Sequence, residues 1–198
     1  MATLQHKPVL FVSPAVEFPT LHALREHLAN DPAGAALLAR LEKGNPPAPL
    51  QSLALLALVN RVLEQRQVQL QAAGIQVRLE TQAGDLRLNG DEFWLTQAIG
   101  NIIDNAIDFM PDSATLDIRL DSTPDGVELH VRNPGPAIPD YALTQVFDRF
   151  YTLPRPDGRR AGAGIGLTLV REVMTQHRGE VRLLNVAGGV EAILSWPR

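Results

Sequence analysis

Four short polar side chains share one face of a predicted helix in the middle of the chain. The segment 95–110 has the helical period, and at about 100° per residue its apolar residues fall together on one side. The opposite side carries Asn101, Asp104, Asn105 and Asp108. Asparagine and aspartate are poor helix formers in a helix interior, and a solvated face is usually built from longer charged residues. The stripe therefore indicates a ligand surface with oxygen ligands for a hard cation such as Mg²⁺, and a merely exposed face is the alternative.

A glycine-rich sequence opens a second predicted helix. Gly162-Ala163-Gly164-Ile165-Gly166 leads into the helical segment 165–177. Glycines let backbone N–H groups approach phosphates closely, and the N-terminus of a helix attracts an anion. The spacing differs from the GxGxxG dinucleotide fingerprint, whose third glycine comes one residue later, and from a P-loop, which needs lysine after its last glycine. The sequence predicts phosphate contact at this helix start, and a glycine hinge is the alternative.

The rest of the pattern predicts a mixed α/β domain that positions these two features. Helices are predicted over about 53–73, 91–110 and 165–177. Alternating runs predict strands over 75–80, 114–120, 126–133, 180–186 and 190–195, with hairpin turns at 122–126 and 188–189.

Two segments rich in proline and glycine divide the chain. The segment 44–49 predicts an extended linker, which separates an N-terminal segment, 1–45, from a globular domain, 46–198. The N-terminal segment is expected to contain a short strand and two short helices. The family resemblance described below implies that it is a remnant of a dimerisation and phosphoacceptor region. The segment 153–164 lies inside the globular domain, and a loop of that length is usually functional.

The composition narrows the function classes. The net charge of −4 gives no field for nucleic acid or an anionic membrane. The chain has no cysteine, so disulfides and cysteine nucleophiles are excluded, and its five histidines lack the HExxH spacing of zinc hydrolases. No apolar run is long enough to span a bilayer, and the first residues lack the order of a secretory signal, so we expect a cytoplasmic domain without membrane contact.

Taken together, these pieces resemble the GHKL superfamily of ATP-binding domains, and within it the sensor histidine kinases. The family's N, G1, F and G2 boxes are matched in order and spacing by Asn101-Ile102-Ile103-Asp104-Asn105-Ala106, Asn133-x-Gly135-x-x-Ile138-Pro139, Phe147-Asp148-Arg149-Phe150-Tyr151 and Gly162-x-Gly164-x-Gly166-Leu167. The resemblance covers about residues 37–198, and the amino-acid sequence in and around these boxes is similar to that of CreC-like sensor kinases. It implies a two-layer α/β sandwich of the Bergerat type, with a mixed sheet, helices on one face, and the nucleotide between the 91–110 helix and the glycine-rich loop.

The resemblance also implies roles for single residues. Asn105 is the expected ligand of a Mg²⁺ ion that bridges the phosphates of ATP, and Asn101 assists at the phosphates. Phe109 is expected to pack on the adenine. Asn133 stands where the family usually has aspartate, and its amide oxygen still accepts a hydrogen bond from the adenine amino group. Asp108 stands where many relatives carry a basic residue, which leaves phosphate neutralisation to Mg²⁺ and the loop arginines.

The remaining nucleotide contacts and the charge neutralisation are assigned in the same way. Further nucleotide contacts are expected from Gly135, Ile138, Gly162, Gly164, Gly166 and Leu167. Charge neutralisation during transfer is expected from Arg149 together with Arg155, Arg159 or Arg160, for which a solvated loop is the alternative. Asn101, Asp104 and Arg149 are the candidate catalytic residues.

The residue type at position 101 distinguishes the histidine kinases of this superfamily from its ATPases. The gyrase-, MutL- and Hsp90-like ATPases and the anti-sigma serine kinases carry glutamate there as a general base, because water or a serine hydroxyl must lose a proton. A neutral imidazole is already nucleophilic. Asn101 therefore favours transfer of the γ-phosphoryl group of Mg-ATP to a histidine, with a response regulator receiver domain as the onward partner. A degenerate kinase that only senses nucleotide and a GHKL ATPase are the alternatives.

The phosphoacceptor histidine is not evident. His22 begins a sequence that partly matches the family's His-Glu-Leu-Arg-x-Pro-Leu pattern, but Pro32 ends the following helix after about 15 Å, roughly half of what a dimerisation hairpin needs. His22 is therefore more readily a surface residue, and a dimerisation and phosphoacceptor domain is expected in cis or in trans. His6, His27, His130 and His177 belong to no motif and are expected at ordinary surface or core positions. Full-length relatives are often anchored in the inner membrane.

Overall fold

Two β-sheets and a layer of helices make up residues 50–82, 84–148, 150–154 and 164–197, which are the residues that this computed structural model describes. The elements follow in the order β1 (Gln51–Ala54), α1 (Leu55–Gln65), α2 (Gln67–Ala72), β2 (Gln76–Thr81), β3 (Arg87–Gly90), α3 (Glu92–Phe109), β4 (Thr115–Ser122), β5 (Gly126–Pro134), α4 (Asp140–Leu143), α5 (Gly166–Gln176), β6 (Glu180–Val186) and β7 (Gly189–Pro197). The predicted N-terminal segment and the linker at 44–49 lie outside the described residues.

The larger sheet is mixed, as the sequence predicts. Its strand order is β2-β4-β5-β7-β6, with β2 and β4 parallel and the other neighbours antiparallel. The register aligns Leu129 of β5 with Leu120 of β4 and with Leu194 of β7. All three side chains are fully buried, so one face of the sheet presents a continuous apolar surface to the helices.

Helices α3 and α5 cover this apolar face. The stripe predicted for α3 is confirmed, since every one of its members is buried: Leu95, Ile99, Ile102, Ile103, Ala106 and Met110. They join residues of α5 and of the sheet in one hydrophobic core. Burial of this apolar surface is the main favourable term holding the two layers together. The predicted fold class, a two-layer α/β sandwich with helices on one face of a mixed sheet, is confirmed.

The first predicted helix departs from expectation at its start and within its length. The residues 51–54 form β1, which pairs antiparallel with β3 in a separate two-stranded sheet. The helix is then interrupted at Arg66 (φ −105°, ψ 6°), which separates α1 from α2. Neither β1 nor β3 is long enough to show a period of its own, so pairing between distant segments decides their conformation. The single turn α4 was likewise not predicted.

A buried histidine joins the beginning of α3 to the end of α5. The backbone N–H of Asp91 donates to His177 Nε2 at 3.0 Å, and His177 Nδ1 donates to the carbonyl oxygen of Val173 at 2.7 Å. Asp91 in turn caps α3 by accepting from the backbone N–H of Trp94 at 3.2 Å. His177 is thus a core residue, as expected of a histidine outside any motif, and it fixes the spacing of two helices.

No helix within the described ranges is long and apolar enough to cross a membrane.

Candidate functional site

A cavity of about 590 Å³ lies between α3, β5 and the start of α5. It is bounded on one side by the loop after β5 and on another by the two described ends of the predicted functional loop. Its lining brings together most of the candidate residues that the structure describes: Asn101, Asp104, Asn105, Phe109, Asn133, Ile138, Gly164, Gly166 and Leu167. Gly135 is a further candidate and lies in the turn that follows β5.

The polar face of α3 forms one wall of this cavity. Asn101, Asp104, Asn105 and Asp108 all line it and are all partly exposed, while the opposite face of the helix is buried. The polar stripe thus lies beside a concave surface, and its role as a ligand surface stays a prediction. Asn105 makes no side-chain hydrogen bond to any other described residue, so its amide is available to a ligand.

Asp104 is held by a partner that sequence analysis did not identify. Arg66 Nε donates to Asp104 Oδ1 at 2.6 Å, and Arg66 Nη2 donates to Asp104 Oδ2 at 2.7 Å. The guanidinium is largely buried, with 18% of its side chain exposed, and such a bidentate pair fixes both partners. Both carboxylate oxygens of Asp104 are thus engaged, which suits a residue that positions α3 better than one that exchanges protons with a substrate. No motif marks Arg66, which lies in what reads as a continuous helix.

Asn101 meets the start of α5 at the floor of the cavity. Its Nδ2 donates to the carbonyl oxygen of Gln97 at 2.9 Å, which fixes the amide on the helix. A Cβ at Gly166 would lie 2.8 Å from Asn101 Oδ1, so the close approach of the two helices requires glycine there. The amide stripe and the N-terminus of α5 consequently face one another across the same space, and that helix end favours an anion.

Asn133 and Ile138 define the opposite end of the cavity. Asn133 is 6% exposed, and its Nδ2 donates to the carbonyl oxygen of Pro134 at 3.1 Å, which leaves Oδ1 as an acceptor. Ile138 is fixed by a second residue that sequence analysis missed. Its N–H donates to Asn185 Oδ1 at 2.8 Å, and Asn185 Nδ2 donates back to its carbonyl oxygen at 2.8 Å. This reciprocal pair holds the loop after β5 against β6.

The two ends of the predicted functional loop are fastened to each other and to α5. The N–H of Phe150 donates to the carbonyl oxygen of Gly164 at 2.9 Å. The hydroxyl of Thr168 donates to the carbonyl oxygen of Phe147 at 3.0 Å. The loop therefore leaves and re-enters the fold beside the cavity. Its inner part lies outside the described residues. So do six candidates from this region and the N-terminus: His22, Arg149, Arg155, Arg159, Arg160 and Gly162.

The electrostatics of the cavity wall favour a cation as part of the ligand. Among its described lining residues there is no lysine or arginine, and the carboxylates of Asp104 and Asp108 lie on α3. The ion pair with Arg66 offsets the negative charge of Asp104. Partial burial, and then the neighbouring Tyr141, raise the pKa of Tyr151 above its usual value. Oxygen ligands from amides and carboxylates suit Mg²⁺, and the donor set on α3 fits that ion.

Comparison with known proteins agrees with this geometry. The family model of the histidine kinase-, DNA gyrase B- and HSP90-like ATPases matches residues 90–198. The sensor protein CreC of Escherichia coli (strain K12) is 41% identical over 157 residues, which are 79% of this chain and 32% of CreC. The chain thus spans about a third of the length of that relative.

Two solved structures show the same architecture. The catalytic domain of histidine kinase ThkA aligns with a TM-score of 0.68 at 25% identity, over 76% of this chain and 98% of that domain. ThkA in complex with the response regulator protein TrrA aligns with a TM-score of 0.71 at 21% identity, over 89% of this chain and 49% of that ThkA chain. The chain therefore belongs to the family of histidine kinase-, DNA gyrase B- and HSP90-like ATPases, and its described part has the fold of a histidine kinase catalytic domain.

Proposed function

We propose that the chain binds Mg-ATP in this cavity and transfers the γ-phosphoryl group to a histidine, as the catalytic domain of a two-component sensor kinase. The observation that carries the proposal is the meeting of two phosphate-binding features across one cavity. The amides of Asn101 and Asn105 line one wall, and α5 begins at Gly166 against Asn101. A triphosphate between them lies at the positive end of a helix and beside oxygen ligands for its counter-ion.

The other end of the cavity suits the adenine. Phe109 and Ile138 offer apolar surface for the base, and Asn133 Oδ1 accepts a hydrogen bond from the adenine amino group. An amide oxygen and a carboxylate oxygen can both accept this hydrogen bond. The substitution of asparagine for the usual aspartate therefore keeps the hydrogen bond and removes one negative charge.

The magnesium ion belongs to the phosphate end, where Asn105 is the proposed ligand. Bound there, it would offset the charge of the phosphates and the charge that develops on the departing ADP. Gly164, Gly166 and Leu167 line the same end of the cavity. The arginines Arg149, Arg155 and Arg160 are proposed to supply the remaining positive charge from the loop. Asp104 supports this end indirectly, because its pair with Arg66 holds α3 in place.

Asn101 decides between phosphotransfer and hydrolysis. Its neutral amide is tied to the carbonyl oxygen of Gln97 and offers no base to activate water. A neutral imidazole needs no such base, since a ring nitrogen carries a lone pair. In the proposed reaction that nitrogen bonds to the γ-phosphorus, the bond from phosphorus to the β–γ bridging oxygen breaks, ADP leaves, and the other ring nitrogen releases its proton to the solvent.

The proposed kinase reaction requires two partners, a phosphoacceptor domain and a response regulator receiver domain. A dimerisation and phosphoacceptor domain, in cis or in trans, presents the histidine to the cavity, and a response regulator receiver domain takes the phosphoryl group from it. ThkA has been solved with a response regulator, so a chain of this fold forms such a complex. The receiver domain that pairs with this chain is identified only by its chemistry, an acidic pocket that accepts phosphate from phosphohistidine.

We expect the purified chain to bind Mg-ATP yet to hydrolyse it very slowly without an acceptor, on the order of 10⁻³ s⁻¹ or less, as for nucleotide hydrolases that lack a group to activate water or stabilise charge. The measurement is steady-state release of phosphate, with Asn105→Ala as the control for site-specific turnover. Fast turnover by the wild type that disappears in Asn105→Ala would show an ATPase instead.

A further inference from the structure

A histidine and three carboxylates meet on the face of the larger sheet that points away from the core. His130 lies in β5 between the buried core residues Leu129 and Val131, so its side chain projects to the opposite face. Its Nε2 is 3.2 Å from Glu128 Oε2 and 3.3 Å from Asp121 Oδ2, and its Nδ1 is 3.1 Å from Glu191 Oε1. The proposed nucleotide reaction uses none of these groups.

His130 and Asp121 of this cluster are buried, Glu128 and Glu191 are partly exposed, and the carboxylates outnumber the cations. His130 and Asp121 are each 8% exposed. Asp121 Oδ1 is buried and has no hydrogen-bond partner among the described residues. Of the described cations, only Arg119 pairs with these carboxylates, through its Nε at 3.0 Å from Asp121 Oδ2. One guanidinium against three carboxylates leaves net negative charge at a buried position, which is unfavourable unless a further cation or a proton offsets it.

The hydrogen-bonding capacity of His130 points to where that cation belongs. A neutral imidazole has one N–H, so only one of its two nitrogens can donate. If Nδ1 donates to Glu191, then the lone pair of Nε2 faces the carboxylates of Asp121 and Glu128. Lone pairs on three converging atoms repel each other unless a positive ion lies between them. Histidines that bind metal ions commonly donate their other N–H to a carboxylate, and Glu191 stands in that position here.

Two of the three separations among the converging atoms match those of a tetrahedral zinc-class site. One ligand atom each from Asp121, Glu128 and His130 lies within 4.8 Å of the others. Bonds of about 2.0–2.1 Å in a tetrahedral site place two ligand atoms about 3.3–3.4 Å apart. The observed separations from Nε2, 3.2 and 3.3 Å, are close to that value. Ser195 Oγ donates to Glu128 Oε1 at 2.9 Å, which leaves Oε2 for the ion.

We propose that Asp121, Glu128 and His130 form a binding site for a divalent transition metal ion of the Zn²⁺ class. Glu191 orients the imidazole, and the fourth position is open to water. The site is separate from the nucleotide cavity, which Val131 and Asn133 line from the other face of β5. Its loss is therefore expected to leave nucleotide binding in place.

Calorimetric titration of the whole chain with Zn²⁺ tests this proposal. We expect one saturable equivalent in the wild type and in His27→Gln, a matched removal of another histidine. We expect that equivalent to be lost in His130→Gln and in Asp121→Asn. Glu191→Gln is expected to keep it with about 10–100-fold weaker binding, because it alters a residue that orients a ligand. Co²⁺ in place of Zn²⁺ is expected to give the intense visible absorption of a tetrahedral site.

The same titrations can also contradict the proposed metal site. Absence of saturable binding in the wild type, or an equivalent that survives in His130→Gln and disappears in His27→Gln, would overturn the proposal. Should His130→Gln fail to fold, the wild-type Co²⁺ spectrum and the Glu191→Gln titration still decide the question.

Discussion

Asn105→Ala is expected to lower the rate of histidine phosphorylation by about 100-fold or more, because it removes the proposed magnesium ligand from the place where negative charge must be offset. Asn105 makes no side-chain hydrogen bond to another described residue, and it lies partly exposed on α3. Its removal therefore leaves no unpaired buried group, and alanine favours helix. The free energy of unfolding is expected to change by no more than about 0.5 kcal/mol. Calorimetry of Mg-ATP binding and the rate of label transfer measure the two effects.

Asn60→Ala is the matched control for that experiment. Asn60 is an exposed asparagine on helix α1 and does not line the cavity. The control is expected to bind Mg-ATP and to transfer phosphate like the wild type. If Asn105→Ala also stayed within about threefold of the wild type in both measurements, the position of the ion on α3 would be wrong.

Gly135→Ala is expected to destabilise the domain by about 2–3 kcal/mol and to weaken nucleotide binding at least about tenfold. Gly135 has φ +153°, and a Cβ there would lie 2.5 Å from the backbone carbonyl oxygen of Phe109. The turn after β5 and the end of α3 would have to separate, which moves Phe109 from the adenine end of the cavity. Chemical denaturation and equilibrium nucleotide binding measure the two losses.

Gly188→Ala isolates the steric part of this effect. Gly188 has φ +78°, so alanine there also adopts an unfavourable backbone conformation. Apart from its two chain neighbours, no described residue has a heavy atom within 4 Å of the added Cβ. Gly188 accepts a hydrogen bond from the N–H of Gly135 at 3.1 Å through its carbonyl oxygen, which the substitution retains. We expect a loss of about 1 kcal/mol and unchanged nucleotide affinity. Equal effects of the two substitutions on affinity would argue against contact between Gly135 and Phe109 as the cause.

The parts of the site that lie on one helix were predictable from sequence. The helical period of α3 predicts which residues lie on its apolar face and which lie on its polar face. One pattern therefore predicts that Leu95 and Ile99 are buried and that Asn101 and Asn105 lie on the opposite face, where they line the cavity. The strands of the larger sheet were predictable for a similar reason. β4 and β5 alternate between core and outer face over several residues, whereas β1 and β3 are too short to do so.

The supporting contacts of the site were not predictable, because they join distant segments through side chains that no pattern marks. Arg66 reaches Asp104 across 38 positions, and Asn185 reaches Ile138 across 47. Neither separation is a helical or strand period, and each pair depends on how whole elements pack. The same holds for His130, which was expected to be an ordinary residue and lies in a cluster with carboxylates of β4, β5 and β7. The roles of the single nucleotide-contacting residues stay predictions.

The most direct test of the proposed kinase function is transfer from ATP labelled in the γ-phosphate, with Mg²⁺, to the chain alone and to the chain with a separate phosphoacceptor domain from a CreC-like kinase. We predict label that is lost in acid and stable in base, as phosphohistidine is, on the added domain. Label on the chain alone that is lost in His22→Ala would place the acceptor in the N-terminal segment and keep the kinase. Binding of Mg-ATP with no label on either protein would contradict phosphotransfer and leave a nucleotide-binding sensor.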